Sequence, residues 1–149
     1  TRTPVGQNCP KNVDYLGVTN LVKAAQTNRV GRFVLISSIA VTHSEHPLNS
    51  FGKVLDWKLK GEETLRESGL KYTIIRPGGL VDKRNGKCSL IFDQGDRIMG
   101  TISRFAVAET CLNALQYPQS ECTTFEVIET EKHSPPEWAE LFQSLKQNC

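Results

Sequence analysis

The sequence predicts an α/β fold built on a parallel sheet, and three observations carry that expectation. Helix-period and strand-like segments alternate along the 149 residues. The strand-like segments are short apolar runs rich in branched residues, the pattern of strands covered on both faces. The first two end in small or helix-breaking residues, Ser37-Ser38 and Pro77-Gly78-Gly79. Strict alternation of this kind points to parallel strands joined by helices.

The elements can be justified in order. Residues 12–29 place Val13, Leu16, Leu21, Val22, Ala24 and Ala25 at helical spacing. Residues 32–38 (RFVLISS) form the first strand, and 42–52, with Pro, Asn, Ser, Gly and two His, form a loop. A charged helix over 53–68 stops at Gly69, which can take the left-handed conformation just past a helix end. Residues 71–76 (KYTIIR) are the second strand, and 82–99 are irregular apart from a strand-like piece at 89–92. A helix over 103–116 aligns Val107, Cys111, Leu112 and Leu115 on one side, and the third strand runs over 123–128. Ser134 as N-cap and Pro135 in the first turn open a last helix through 147, burying Trp138, Leu141, Phe142 and Leu145. No repeat or linker interrupts residues 1–149, which read as a single partial domain. Three strands alone leave an apolar edge at Phe33, Leu35 and Ile36, so a further segment, another chain or a cap is expected to cover it.

Composition excludes some function classes. A net charge of +2 gives no basic stripe for nucleic acid, and Lys83, Arg84 and Lys87 read as solvated surface. No apolar run approaches the ~20 residues of a membrane span, and residues 1–12 hold no signal-peptide core. The first residue is not Met, which suits processing or a chain that begins partway through a longer protein. Cys9, Cys88, Cys111, Cys122 and Cys149 form no CxxC pair and no zinc-ligand spacing, so a reducing compartment is expected, with Cys111 in a helix core.

In open α/β sheets ligands bind beyond the C-terminal ends of the strands, where Ser37-Ser38 and Pro77-Gly78-Gly79-Leu80 fall. Taken together, VDYLGVTNLVKAA, GRFVLISS and HPLNSFGKVLDWKLKGEETLRESGLKYTIIRPGGLVD resemble the atypical short-chain dehydrogenase/reductases. The resemblance is to their small, NmrA-like NAD(P)H-binding members of plants and bacteria, and runs from about Val13 to Ile128. It implies a doubly wound Rossmann-like sheet of which this chain is the C-terminal part. It also implies NADP as cofactor, with NAD as the alternative. By the same resemblance Ser38 stands where the superfamily keeps its active-site Ser, with Ser37 beside it. Lys58 occupies the Lys of the YxxxK pair that binds the nicotinamide ribose, and Pro77 to Leu80 meet the carboxamide. Glycines there would let a flat ring approach closely.

The sequence departs from the family pattern at several points. Four residues before Lys58 stands Val54, which cannot donate a proton; the frames of Lys60 and Lys53 give Asp56 and Asn49. Asp14 takes the place of an Asn in extended relatives, and Arg104-Phe105-Ala106-Val107-Ala108 replaces the Asp of an RxDVA pattern with Ala. No GxxGxxG occurs; the resemblance places that pyrophosphate-holding loop roughly 60–90 residues upstream.

Simpler readings exist for each residue. Ser37 and Ser38 could cap strand-end backbone, Lys58 could be a solvated lysine, and Pro77-Gly78-Gly79 a strand terminator. Trp57 reads as core or pocket wall, His43 and His46 as loop surface, and His133 has no visible partner in sequence. Two function classes follow from the resemblance. One is an oxidoreductase passing hydride between the nicotinamide and a small carbonyl, quinone or flavin-like acceptor. The other is a non-catalytic nucleotide-binding scaffold or redox-sensing subunit in a larger assembly. Cytoplasm or plastid would suit either.

Overall fold

Residues 5–82, 89–130 and 134–148 are described by the computed structural model, and they contain the predicted helices and strands in order, with two short strands, Gly79–Val81 and Thr101–Ser103, that the sequence reading did not expect. The helices are α1 (Val18–Thr27), α2 (Val54–Arg66), α3 (Arg104–Gln116) and α4 (Trp138–Gln143). The strands are β1 (Phe33–Ile36), β2 (Tyr72–Pro77), β3 (Gly79–Val81), β4 (Leu90–Asp93), β5 (Thr101–Ser103) and β6 (Thr123–Glu129). Two compact units result, one of Thr1–Phe33 with Ala40–Tyr72, the other of Val34–Ile39 with Thr73–Cys149.

In the first unit the predicted helix over 12–29 is two kinds of helix in series. A π-helical stretch, Lys11–Gly17, runs directly into α1, which buries Val18, Val22 and Ala25. The Asn28 amide closes α1 by donating to the Ala24 carbonyl at 2.8 Å. α2 begins after Lys53, which sits at φ 58° and caps nothing with its side chain. Asn49, in the short turn Pro47–Ser50, does that work: its Oδ1 accepts from the backbone of Leu55 at 2.9 Å and of Asp56 at 3.3 Å. Gly69 follows the helix at φ 73°, as expected of a residue without Cβ at that point. Ala40, Val41 and Leu55 form a small core.

The second unit holds a four-stranded sheet in the order β1-β2-β6-β4. Backbone bonds from Ser37 to Ile75 (2.7 Å) and from Ile39 to Pro77 (3.1 Å) advance together along β1 and β2, so the pair is parallel. β2 and β6 are parallel from Thr73↔Thr123 to Pro77↔Val127. The three expected strands therefore sit side by side. The segment read as merely strand-like becomes a fourth, β4, antiparallel to β6 from Leu90↔Glu129 to Asp93↔Glu126. β3 and β5 form a separate parallel pair, Gly79↔Thr101 to Val81↔Ser103.

Two burial expectations and one helix boundary need correction. β2 is buried throughout, but β1 is only half-buried and Ile36 is 48 % exposed, because β1 is the last strand on its side among the described residues. α3 turns Ala106, Val107, Thr110 and Ala114 inward and leaves Leu112 and Leu115 exposed. Its small residues, not its leucines, allow it to lie close to the sheet. The last helix is shorter than expected, and Ser134 is not its cap; the Ser134 hydroxyl pairs with that of Ser89 at 2.6 Å. Phe142 is fully buried against Phe125, Phe92 and Tyr117, with Trp138, Leu141 and Leu145 packed on the same core.

Cys9 and Cys111 are free thiols, and burial pushes the Cys111 thiol up from its ordinary value. Cys122 is disulfide-bonded, so the expectation of reduced cysteines does not extend to it; sequence spacing carries no record of such pairing. Lys83, Arg84, Lys87, Cys88, His133 and Cys149 lie outside the described residues. Among the described residues no helix is long and apolar enough to cross a membrane.

Candidate functional site

The first cluster lies at the C-terminal tips of β1 and β2. Ser37 follows β1, and its backbone N–H completes the ladder to Ile75. Its side chain is buried, and Oγ has no hydrogen-bond partner among the described residues. A buried hydroxyl of this kind costs about 1–3 kcal/mol unless something bonds to it. Such an atom fits a polar group of a bound nucleotide at the usual ligand end of an α/β sheet. Ser38 is half-buried one residue further on. Two residues beyond it Ala40, also buried, is held at φ 65°, a costly conformation for a residue with Cβ. Nothing in the sequence marked Ala40, since alanine gives no turn signal.

Pro77 and Gly78 are buried, whereas Gly79 and Leu80 are exposed. The glycines differ in what they allow. A Cβ on Gly78 would lie 2.5 Å from the Gly100 carbonyl oxygen and 2.9 Å from Ile128 Cγ2. The close approach at Gly78 is therefore made by the protein itself, with backbone bonds from Gly78 to Val127 (3.0 Å) and from Gly79 to Gly100 (2.9 Å). At Gly79 a Cβ would meet only ordinary contacts, the nearest at 3.6 Å.

Lys58 lies on α2 in the first unit. Its Nζ stands 3.0 Å from Asp14 Oδ1, with the Lys side chain 25 % exposed and the Asp side chain 9 %. Val54, four residues before Lys58, packs against the Ala40, Val41 and Leu55 core. Asn49 and Asp56, the residues of the alternative frames, bond to each other at 2.8 Å while Asn49 caps α2. His43 is exposed, and His46 Nδ1 accepts from the Leu48 backbone at 3.3 Å, so both have surface or turn roles. Trp57 stacks on Tyr15 with centroids 5.9 Å apart, and Lys60 Nζ lies 4.7 Å from its ring centre.

A buried charged row crosses the sheet of the second unit and escaped the sequence reading. Arg76 and Glu126 are register partners on β2 and β6, joined at 3.1 Å, and the Asp96 backbone N–H donates to the other Glu126 oxygen at 2.9 Å. Burial raises the Glu126 carboxyl above its ordinary range, against the opposing pull of the Asp96 amide and Arg76. A single Glu in an apolar run was the available signal. No group of three or more His, Cys, Asp or Glu is placed to hold a metal ion among the described residues.

Residues 5–118 match the model of a family described as NAD(P)H-binding. The chain belongs to that family. The match crosses both units and agrees with the resemblance to atypical short-chain dehydrogenase/reductases. An uncharacterized chloroplastic protein of Arabidopsis thaliana is 42 % identical over 118 residues, 75 % of this chain and 36 % of that protein. Sanguinarine reductase of Eschscholzia californica is 36 % identical over 124 residues, 79 % of this chain and 45 % of the enzyme. Protein TIC 62 of Arabidopsis chloroplasts is 35 % identical over 133 residues, 85 % of this chain and 21 % of that protein. This NAD(P)H-binding chain thus spans less than half the length of each of these curated relatives.

Among solved structures, a putative NAD-dependent epimerase/dehydratase from Bacillus halodurans superposes with TM-score 0.79 at 24 % identity, over 95 % of this chain and 64 % of its own. ChuY, an anaerobilin reductase from Escherichia coli O157:H7, superposes with TM-score 0.70 at 26 % identity, over 82 % of this chain and 61 % of its own. The fold is Rossmann-like, α/β with a mostly parallel sheet.

Proposed function

We propose that this chain is the nicotinamide-end portion of an NADP(H)-dependent reductase acting on a small carbonyl, quinone or flavin-like acceptor. The observation that carries the reading is the NAD(P)H-binding match over residues 5–118, reinforced by relatives named as reductases, sanguinarine reductase and ChuY. The orphaned Ser37 hydroxyl at a strand tip supports it from the physical side. The cofactor supplies the hydride from its nicotinamide C4; the protein supplies binding and orientation.

Ser38 donates a hydrogen bond to the acceptor oxygen and polarises it. Lys58 donates to the ribose hydroxyls, and an ammonium with three N–H donors suits a vicinal diol. Ser37 and the backbone of Pro77 to Leu80 hold the carboxamide. With Val in place of the family Tyr, no side chain at position 54 delivers a proton, so solvent protonates the reduced acceptor. Quinones and flavins suit such a site, because their reduced oxygens and nitrogens exchange protons with water directly. The chloroplast origin of matched relatives supports a plastid location.

The second reading, a nucleotide-binding scaffold or redox-sensing subunit without turnover, is favoured by Val54, by Ala106 in place of the RxDVA Asp and by the half-exposed strand β1. NADPH and NADH oxidation with a panel of quinones and flavins separates the two. Turnover with at least one acceptor, lost on Lys58→Ala, is expected. Tight NADPH binding with no oxidation on any acceptor would establish the scaffold instead.

A further inference from the structure

We infer that Asp14 is a positioning residue for Lys58, and that the π-helical stretch and Gly61 exist to place it; this rests on the reading of Lys58 as a ribose-binding residue. Asp14 lies in the middle of Lys11–Gly17, where i→i+5 bonding widens the helix and re-aims its side chains relative to α1. Such π-turns interrupt the regular ladder and are found frequently at functional sites. Here the widened turn presses on α2. A Cβ on Gly61 would lie 2.4 Å from the Asp14 carbonyl oxygen, a distance no side chain tolerates against backbone. Gly61 is one helical turn beyond Lys58, so the face that admits the Asp14 backbone is the face from which Lys58 projects.

The approach is braced from beside it. Tyr15 stacks on Trp57, and Lys11 and Lys60 lie 5.5 and 4.7 Å from the Trp57 ring centre. With the backbone fixed, the nearly buried Asp14 carboxylate meets Lys58 Nζ at 3.0 Å. The rival acid on α2, Glu62, stands four residues after Lys58, but its Oε2 is taken by Arg66 at 2.6 Å. Asp14 is thus the ion-pair partner of Lys58 among the described residues. One ammonium N–H points at Asp14, which sets the direction of the other two. A lysine stem is otherwise free to rotate, and a charged partner on a rigid turn removes that freedom before any ligand arrives.

The test is a double-mutant cycle on the whole protein, with NADPH affinity read from nicotinamide fluorescence and folding read from the melting temperature. Asp14→Asn, of the same shape without the charge, is expected to weaken NADPH binding about fivefold while the melting temperature holds. Asp14→Glu should recover part of the loss. In a Lys58→Met background, Asp14→Asn should have no further effect, because its action runs through Lys58. Gly61→Ala should reproduce the Asp14→Asn loss by pushing the turn away. If Lys58→Met itself leaves NADPH affinity unchanged, the ribose role of Lys58 fails, and this inference with it. If Lys58→Met weakens binding but Asp14→Asn does not, or if the two losses simply add, Asp14 has no positioning role and the ribose role stands.

Discussion

At the scale of single residues, Gly78 shows how one residue type can be required for a reason its position does not announce. A glycine at a strand tip in a nucleotide-binding fold invites the thought of a ring lying against bare backbone. The space a Cβ would need at Gly78 is already filled by the Gly100 carbonyl and Ile128. Gly78→Ala should therefore destabilise the protein by about 1–3 kcal/mol, since the nearest atoms are backbone and cannot swing aside. Gly79→Ala, where contacts are ordinary, should stay within about 0.5 kcal/mol. Urea denaturation of the two variants checks the contrast; equal stability would mean that the packing at Gly78 relaxes freely.

At the scale of elements, helix starts were the least legible feature, because caps can come from outside the periodic segment. Asn49 caps α2 from a preceding turn, across the left-handed Lys53, and no local rule joins those positions. Ser103 is the opposite case. It directly precedes α3, its Oγ accepts from the Ala106 N–H at 3.1 Å, and it lies 2.6 Å from Glu129 Oε1, to which it donates. Ser103→Ala should cost about 1 kcal/mol, the usual worth of an N-cap, because the partly exposed Glu129 can turn to water. Ser103→Thr should keep most of the stability. A urea midpoint unchanged by Ser103→Ala would show that the cap contributes nothing to α3.

At the scale of the whole molecule, the buried Glu126 ties global stability to pH. Burial raises its carboxyl above the ordinary value of 4.5, so the folded chain holds that proton more tightly than the unfolded chain does. The stabilising share is complete below 4.5 and is lost as pH rises through the higher folded value. Compared with Glu126→Gln, whose amide does not titrate, the parent should lose relative stability as pH rises above 4.5 and through the higher folded value. Denaturant titrations at several pH values measure this; a relative gain over that range would overturn it.

The sequence by itself determined the order and kind of the four helices and of the three parallel strands of the main sheet, the helix stop at Gly69, the strand-end serines and the family, but not the short pair β3 and β5. Each of these is written in residues close together in the chain, as periodicity, a breaker or a contiguous motif. The tertiary structure decided that the weak segment at 90–93 pairs antiparallel with β6, and that α3 lies on the sheet by its alanines. It also brought Arg76 to Glu126 and Asp14 to Lys58, across fifty and forty-four positions. Those contacts depend on which backbone approaches which, and a residue's neighbours in sequence carry no trace of its partners in space.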